Sequence, residues 1–145
     1  MKCLDVNPLI YAFRPDAVDH EKYAAWLRQL ADSTEPFVVP DVVLSAVIRI
    51  TTNPRSFPVA SKMELALAFV AALRAQPGFR APIPGAAHWP LFVSFCNIPN
   101  VRGNDVSDAY IAALAVAQEA DLVTCDKGFA RFPGLRFEHP LGAHI

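Results

Sequence analysis

Short apolar runs alternate with helix-like segments along this chain, and that alternation restricts its fold more than any other feature. Lys2 to Val6, Phe37 to Val39, Asp121 to Thr124 and Leu135 to Glu138 each have the length and apolar character of a buried strand. Phe79 to Pro84 holds Pro82 and Pro84, which limits it to an edge strand because proline donates no ladder hydrogen bond. Helical signals lie between these runs. Leu9 to Phe13 follows Pro8, a residue suited to a first helical turn. Asp19 is placed to cap a helix reaching Ala31, with Tyr23, Trp26, Leu27 and Leu30 on one apolar face. Asp41 to Thr52 is rich in β-branched residues, yet Pro40–Asp41 is a helix start and Asn53–Pro54 a stop. Ser61 and Glu64 have capping-box spacing ahead of Leu65, Leu67, Phe69, Val70 and Leu73, and Gly78 terminates that helix. His88 to Phe95 reads as a short helix. Ser107 or Asn104 caps another from Asp108 to Ala120.

Strands that alternate with helices imply an α/β fold, a parallel sheet covered on both faces. The chain of 145 residues is long enough for one domain, 1–145, with its own core. At 53% hydrophobic and 19% charged residues, disorder is excluded. No run of about eighteen apolar residues escapes a charge or a proline, and Asp5 interrupts the N-terminus before any signal-length segment. No membrane association is therefore expected. Cys3, Cys96 and Cys125 are odd in number and lack metal or disulfide spacing, which fits a reducing cytoplasm. A net charge of −1 argues against bulk electrostatic coating of nucleic acid, but is compatible with an enzyme that has a local basic rim.

Right-handed crossovers bring the C-terminal ends of all parallel strands to one edge, where such sheets bind ligands. Asp5 ends the first strand, and Asp126 follows Leu122-Val123-Thr124-Cys125. Asp105 and Asp108 open the helix that precedes that later strand, so they fall on the same edge. Acids gathered so closely raise one another's pKa unless a cation compensates. An all-oxygen donor set with no His or Cys at metal spacing selects Mg²⁺ or Mn²⁺ over zinc. Each acid also has an ordinary alternative: Asp105 or Asp108 as a helix cap, Asp126 as a turn residue before Lys127-Gly128. Asp5 is harder to explain that way, because a charge inside an apolar strand requires a partner.

Three motifs carry a resemblance: Asp5-Val6-Asn7, the run Asp108-Ala109-Tyr110-Ile111-Ala112-Ala113-Leu114-Ala115, and Leu122-Val123-Thr124-Cys125-Asp126-Lys127-Gly128-Phe129. Together they resemble the PIN domain. Thr52-Asn53-Pro54-Arg55, Phe132-Pro133-Gly134-Leu135-Arg136 and Pro140-Leu141 resemble more narrowly the VapC ribonuclease toxins of bacterial toxin–antitoxin pairs. The resemblance implies a three-layer α/β/α fold with a five-stranded parallel sheet, a homodimer, a VapB-like antitoxin partner and Mg²⁺-dependent endoribonuclease activity. Asp5, Asp108 and Asp126 match the family's metal-binding acids. Asn7 and Thr124 match the polar residues that orient them, and Asp105 stands outside the family pattern as an additional possible ligand.

The family's further acid, a Glu on the helix after the second strand, falls about where Ala46 stands, which favours one metal ion over two. Cleavage of a phosphodiester needs a metal-activated water and a cation near the phosphate. Arg49, Arg55, Arg102, Lys127 and Arg131 lie in segments able to reach such a site, although each is equally explained as a solvated surface charge. His88, His139 and His144 read as surface or packing residues, Trp26 as core rather than a base-stacking residue, Trp89 as able to stack a base, Phe129 and Phe132 as core beneath the site, and Cys125 as an inert thiol within a strand. Two rival functions remain: a phosphoryl-accepting receiver domain, which would need paired acids after the first strand, and a catalytically weak or dead PIN scaffold that only binds a protein partner.

Overall fold

The computed structural model describes residues 1–142; His144 lies outside the described residues. Five strands form one parallel sheet: β1 (Lys2–Leu4), β2 (Phe37–Val38), β3 (Phe79–Arg80), β4 (Asp121–Val123) and β5 (Phe137–Glu138). Their order across the sheet is β3-β2-β1-β4-β5. The proline-bearing segment does supply an edge strand. Six α-helices connect and cover the strands: α1 (Val6–Phe13), α2 (His20–Asp32), α3 (Asp41–Thr51), α4 (Met63–Arg74), α5 (His88–Cys96) and α6 (Asp105–Ala117). The chain moves from β1 out to β3, then returns across the sheet to β4. Right-handed crossovers therefore place α1 to α4 on one face and α5 and α6 on the other. Packing of α1 on α2 and α3, of α3 on α4, and of α5 on α6 matches this three-layer arrangement.

The reversal of direction falls between β1 and β4, which pair Lys2 with Asp121, Cys3 with Leu122 and Leu4 with Val123. These central strands are apolar because helices cover both of their faces: Cys3, Leu4, Leu122 and Val123 are all buried. The N-terminal rim of the sheet is tied by charge. Lys2 pairs with Asp121 and Glu138, Arg136 donates to Asp121, and the N-terminal amine lies 3.3 Å from Glu35.

The α6 helix is buried almost all round, through Ala109, Ile111, Ala112, Ala113, Leu114 and Ala115. Its small side chains let the backbone approach the sheet closely, and burial between β-sheet and α5 explains why it carries little amphipathic pattern. The helix starts at Asp105, one turn earlier than the Asp108 expected from sequence, and Asn104 makes no side-chain cap. It ends in a Schellman turn: the N–H of Ala120 donates to Ala115 (2.9 Å) and that of Glu119 to Val116 (3.1 Å).

Two further expected caps do not form. Ser61 precedes a helix flanked by Lys62, and its hydroxyl instead accepts a 3.0 Å hydrogen bond from Arg14. Asp19 adopts a left-handed backbone, φ 59°, rather than the extended one a capping carboxylate needs, and faces Lys22 at 3.8 Å. Only Tyr23 of the expected apolar face of α2 is buried, while Trp26, Leu27 and Leu30 are partly covered. Cys125 lies beyond the end of β4 rather than within it, and its thiol meets the Tyr23 hydroxyl at 3.5 Å.

Glu119 holds φ 54° at the one position of the Schellman turn that glycine normally fills. Glu119→Gly relieves that left-handed strain, and we expect a stabilisation of roughly 0.5–1 kcal/mol. The urea midpoint rises if so; an unchanged or lower midpoint would mean that the added chain entropy of the unfolded state outweighs the relief.

Candidate metal and nucleic-acid site

Asp5 follows the last residue of β1 and precedes the first residue of α1, so its backbone belongs to both elements. Its N–H donates to Val123 (3.0 Å), extending the β1–β4 ladder by one bond, and its side chain is only 6% exposed. The fully buried Thr124 hydroxyl donates to Asp5 Oδ2 at 2.7 Å. Thr124 Oγ1 in turn accepts the N–H of Asp126 at 3.0 Å, so the hydroxyl's single proton is directed at Asp5. Burial pushes the Asp5 carboxyl above its ordinary pKa; the Thr124 and Val6 hydrogen bonds oppose this, and the charge of Asp126 adds to it. Cys3, behind Asp5 on β1, has its thiol pushed up to about 12 by burial first and by Asp5 second, so it is inert.

Asp126 caps the 3₁₀ turn Lys127–Arg131, its Oδ1 accepting the N–H of Gly128 at 2.8 Å. A Cβ at position 128 would stand 2.9 Å from that oxygen, so glycine is required for this carboxylate to hold its place. Asp108 sits in the first turn of α6. Burial, then the charges of Asp5 and Asp126, push its carboxyl up to about 6, against the opposing effect of Arg131. Asp5, Asp108 and Asp126 open onto one cavity of about 520 Å³, which Asn7 and Asn104 also line.

The helix after β2 supplies the opposite wall. α3 is helical as read, its core face is Val43, Leu44 and Val47, and its other face presents Val42, Ala46, Arg49 and Ile50 to the cavity. Phe92, Val106, Tyr110 and Ile111 complete an apolar half. Sequence reading missed this half, although Val42, Ala46 and Arg49 already fall at i, i+4 and i+7 on one helix face.

The remaining candidates separate. Asn7 lines the cavity, but among the described residues it makes no hydrogen bond to an acid; Thr124 alone does that. Asp105 lies outside the lining and pairs with Arg131 at 3.2 Å. Arg131 also reaches Asp108 at 3.4 Å, so its guanidinium is engaged by carboxylates rather than directed to solvent. Arg49 lines the cavity, whereas Arg55, Arg102 and Lys127 do not. His88 is a packing residue: it is buried, its Nε2 lies 3.2 Å from the Tyr110 carbonyl, and its ring packs edge-on against Tyr110. Phe129 and Phe132 are buried beneath the acids, and Trp89 is 64% exposed. Crowded, partly desolvated carboxylates with oxygen donors only suit a hard divalent cation. Among the described residues, no three His, Cys, Asp or Glu side chains already stand close enough to share one ion.

Residues 2–135 match the PIN domain family. The chain is also 41% identical over 141 residues to the VapC ribonuclease Mb2897 of Mycobacterium bovis, covering 97% of this chain and 96% of that protein. The chain belongs to the PIN-domain VapC ribonuclease family. Ribonuclease VapC25 of Mycobacterium tuberculosis is 36% identical over 140 residues, covering 97% and 99% of the two chains. The same fold recurs in VapBC2 from Rickettsia felis, solved bound to a promoter DNA fragment, with TM-score 0.68, 21% identity and coverage of 95% of this chain and 97% of that one. VapC20 of Mycobacterium tuberculosis, a toxin that cleaves the sarcin–ricin loop, has TM-score 0.67 at 16% identity, covering 94% and 99%. This VapC-family chain thus has the five-stranded, three-layer PIN architecture that its motifs implied.

The Asp108 environment has a consequence for the metal-free protein. An acid whose folded pKa lies above its unfolded value binds its proton more tightly in the native state. Its contribution to stability is full below about pH 4 and is lost as pH rises through about 6. Stability of the metal-free protein should fall over that window, and Asp108→Asn should remove up to about 3 kcal/mol of the change. Urea titrations at pH 4 and pH 7 measure it; identical pH dependence in the two proteins would contradict the assignment.

Proposed function

We propose that the chain is a Mg²⁺-dependent endoribonuclease, the toxin of a toxin–antitoxin pair, that cuts RNA phosphodiester bonds. The observation that carries this reading is the meeting of Asp5, Asp108 and Asp126 in one cavity at the sheet's reversal point. Asp5 and Asp108 are the ligands, and Asp126, the most exposed of the three, is a ligand or the base that takes a proton from the attacking water. A Mg²⁺ or Mn²⁺ held there supplies Lewis acidity and lowers the pKa of bound water. Thr124 fixes the orientation of Asp5 through its 2.7 Å hydrogen bond. Arg49, on the facing helix, is placed to hold the phosphate of the strand being cut. The curated relatives' names support RNA as the substrate, and the VapBC complexes of the structural neighbours support a VapB-like antitoxin partner. A homodimer and a cytoplasmic location complete the proposal. Among the described residues no helix is long and apolar enough to cross a membrane.

One observation favours the second reading, a catalytically weak or dead scaffold that binds a partner: the cavity wall carries Ala46 where a further carboxylate would add a ligand. Incubating the protein with structured RNAs, with and without Mg²⁺ or Mn²⁺, separates the two. We expect metal-dependent cleavage that Asp5→Asn lowers about a hundredfold or more, the range for losing a group that positions or moves a proton. Metal-independent cleavage would reject the metal-dependent mechanism, and no cleavage under any condition would reject the enzyme.

Replacing Ala46 by Glu places a carboxylate on the cavity wall. Mn²⁺ should then bind more tightly in calorimetric titration, because the number and charge of oxygen ligands set affinity for hard cations. Equal affinity in the two proteins would show that position 46 is too far from the acids to coordinate.

A further inference from the structure

The acids of the cavity have one cationic neighbour. Among the described residues, Arg131 alone places a charged nitrogen within 4 Å of any of them, and neither Asp5 nor Asp126 has an ion pair. The contact has an unusual form. A single nitrogen, Nη2, is shared between Asp105 Oδ1 at 3.2 Å and Asp108 Oδ2 at 3.4 Å, so Asp108 receives no bidentate fork. Nε of the same guanidinium is buried and has no hydrogen-bond partner. The arm is anchored by packing, with Cζ 5.0 Å from the ring centre of the buried Phe132. Asp105, which does not itself line the cavity, holds the nearer end.

We propose that Arg131 is the resident counter-ion of the metal-free site, displaced from Asp108 when a divalent cation binds and kept in place by Asp105. This rests on the metal-dependent reading above. Three carboxylates around one cavity repel one another, and a guanidinium at 3.4 Å relieves part of that repulsion. A cation entering the cavity would compete for the Asp108 carboxylate and be repelled by the guanidinium charge. Asp105 lowers the cost of the exchange, because Arg131 retains a carboxylate after Asp108 turns to the metal. Arg131 and Asp105 are then positioning residues whose substitutions shift metal affinity in opposite directions. In a purely structural ion pair the two charges act independently on the metal, so exchange is read from the coupling between the two substitutions.

The test is calorimetric titration of Mn²⁺ into wild type, Arg131→Gln, Arg131→Lys, Asp105→Asn and the double variant Arg131→Gln with Asp105→Asn, each checked by thermal melting. Arg131→Gln should bind Mn²⁺ about five- to tenfold more tightly than wild type, the effect of removing one unit charge at this range. It should also melt at a lower temperature without metal and regain that loss as metal is added. Arg131→Lys keeps the charge and should stay near wild-type affinity, which covers the case of Arg131→Gln failing to fold. Asp105→Asn should bind several-fold more weakly, because Arg131 then rests on Asp108 alone. In the Arg131→Gln background Asp105→Asn should weaken binding less than it does in wild type, by the loss of its own charge alone. Weakening there as large as in wild type would remove any coupling through Arg131 and overturn the inference. So would a wild type that binds Mn²⁺ while Arg131→Gln binds it equally or less well, a result that leaves the metal-dependent reading standing. Binding by neither protein overturns both.

Discussion

A carboxylate buried where the first strand becomes the first helix is the constraint on which the rest of this structure depends. Asp5 is almost wholly removed from water, and an isolated charge in that position is costly. Its compensation comes from a residue 119 positions away, the hydroxyl of Thr124. The bond forms only if β1 and β4 are neighbours in register, and their pairing is what creates the reversal point of the sheet. The same hydroxyl takes the N–H of Asp126 and thereby sets the direction in which the chain leaves β4. One threonine thus couples sheet topology, the placement of two acids and the start of the 3₁₀ turn.

The arrangement works against stability. Asp5 and Asp108 are both held in surroundings that favour their neutral forms, and each is made worse by the other acids. Elsewhere the protein follows the opposite policy, with small alanines of α6 against an apolar sheet and with Lys2, Asp121 and Arg136 paired at the N-terminal rim. Concentrating unfavourable electrostatics in one cavity while the remainder is conventionally packed is the pattern of a site whose geometry is maintained by the scaffold around it.

Much of this was legible in the residues. The alternation of strand and helix, the edge position of the proline-bearing strand and the gathering of acids at one edge follow from period, from backbone chemistry and from the handedness of crossovers. α3 read correctly despite its β-branched residues because Pro40 and Pro54 delimit it. The failures have a common cause. Ser61 looks like a cap from its neighbours, but Arg14, 47 residues earlier, recruits its hydroxyl. Arg131 looks like a free surface cation, yet the fold brings it onto Asp105 and Asp108, 26 and 23 residues before it. Asn7 lies two residues from Asp5 in sequence, but the hydrogen bond to the Asp5 carboxylate comes from Thr124, 119 residues away. Local pattern specifies which elements form; the partners of polar side chains are decided by which elements meet.

The shortness of the central strands has an electrical consequence. β1 is three residues long, so Lys2 at one rim and Asp5 at the other are separated by Cys3 and Leu4 alone, both fully buried. Three steps of extended chain span roughly 10 Å. That is about one Debye length at 0.1 M salt, and the path runs through apolar interior where mobile ions cannot enter to screen it. The two rims of this sheet are therefore not independent electrostatic regions. Pairing of Lys2 and Arg136 with Asp121 matters beyond local stability, because it leaves little net charge to act on the acids through this thin dielectric film. An unpaired charge introduced at the Lys2 rim would be felt at the cavity through the protein's own core.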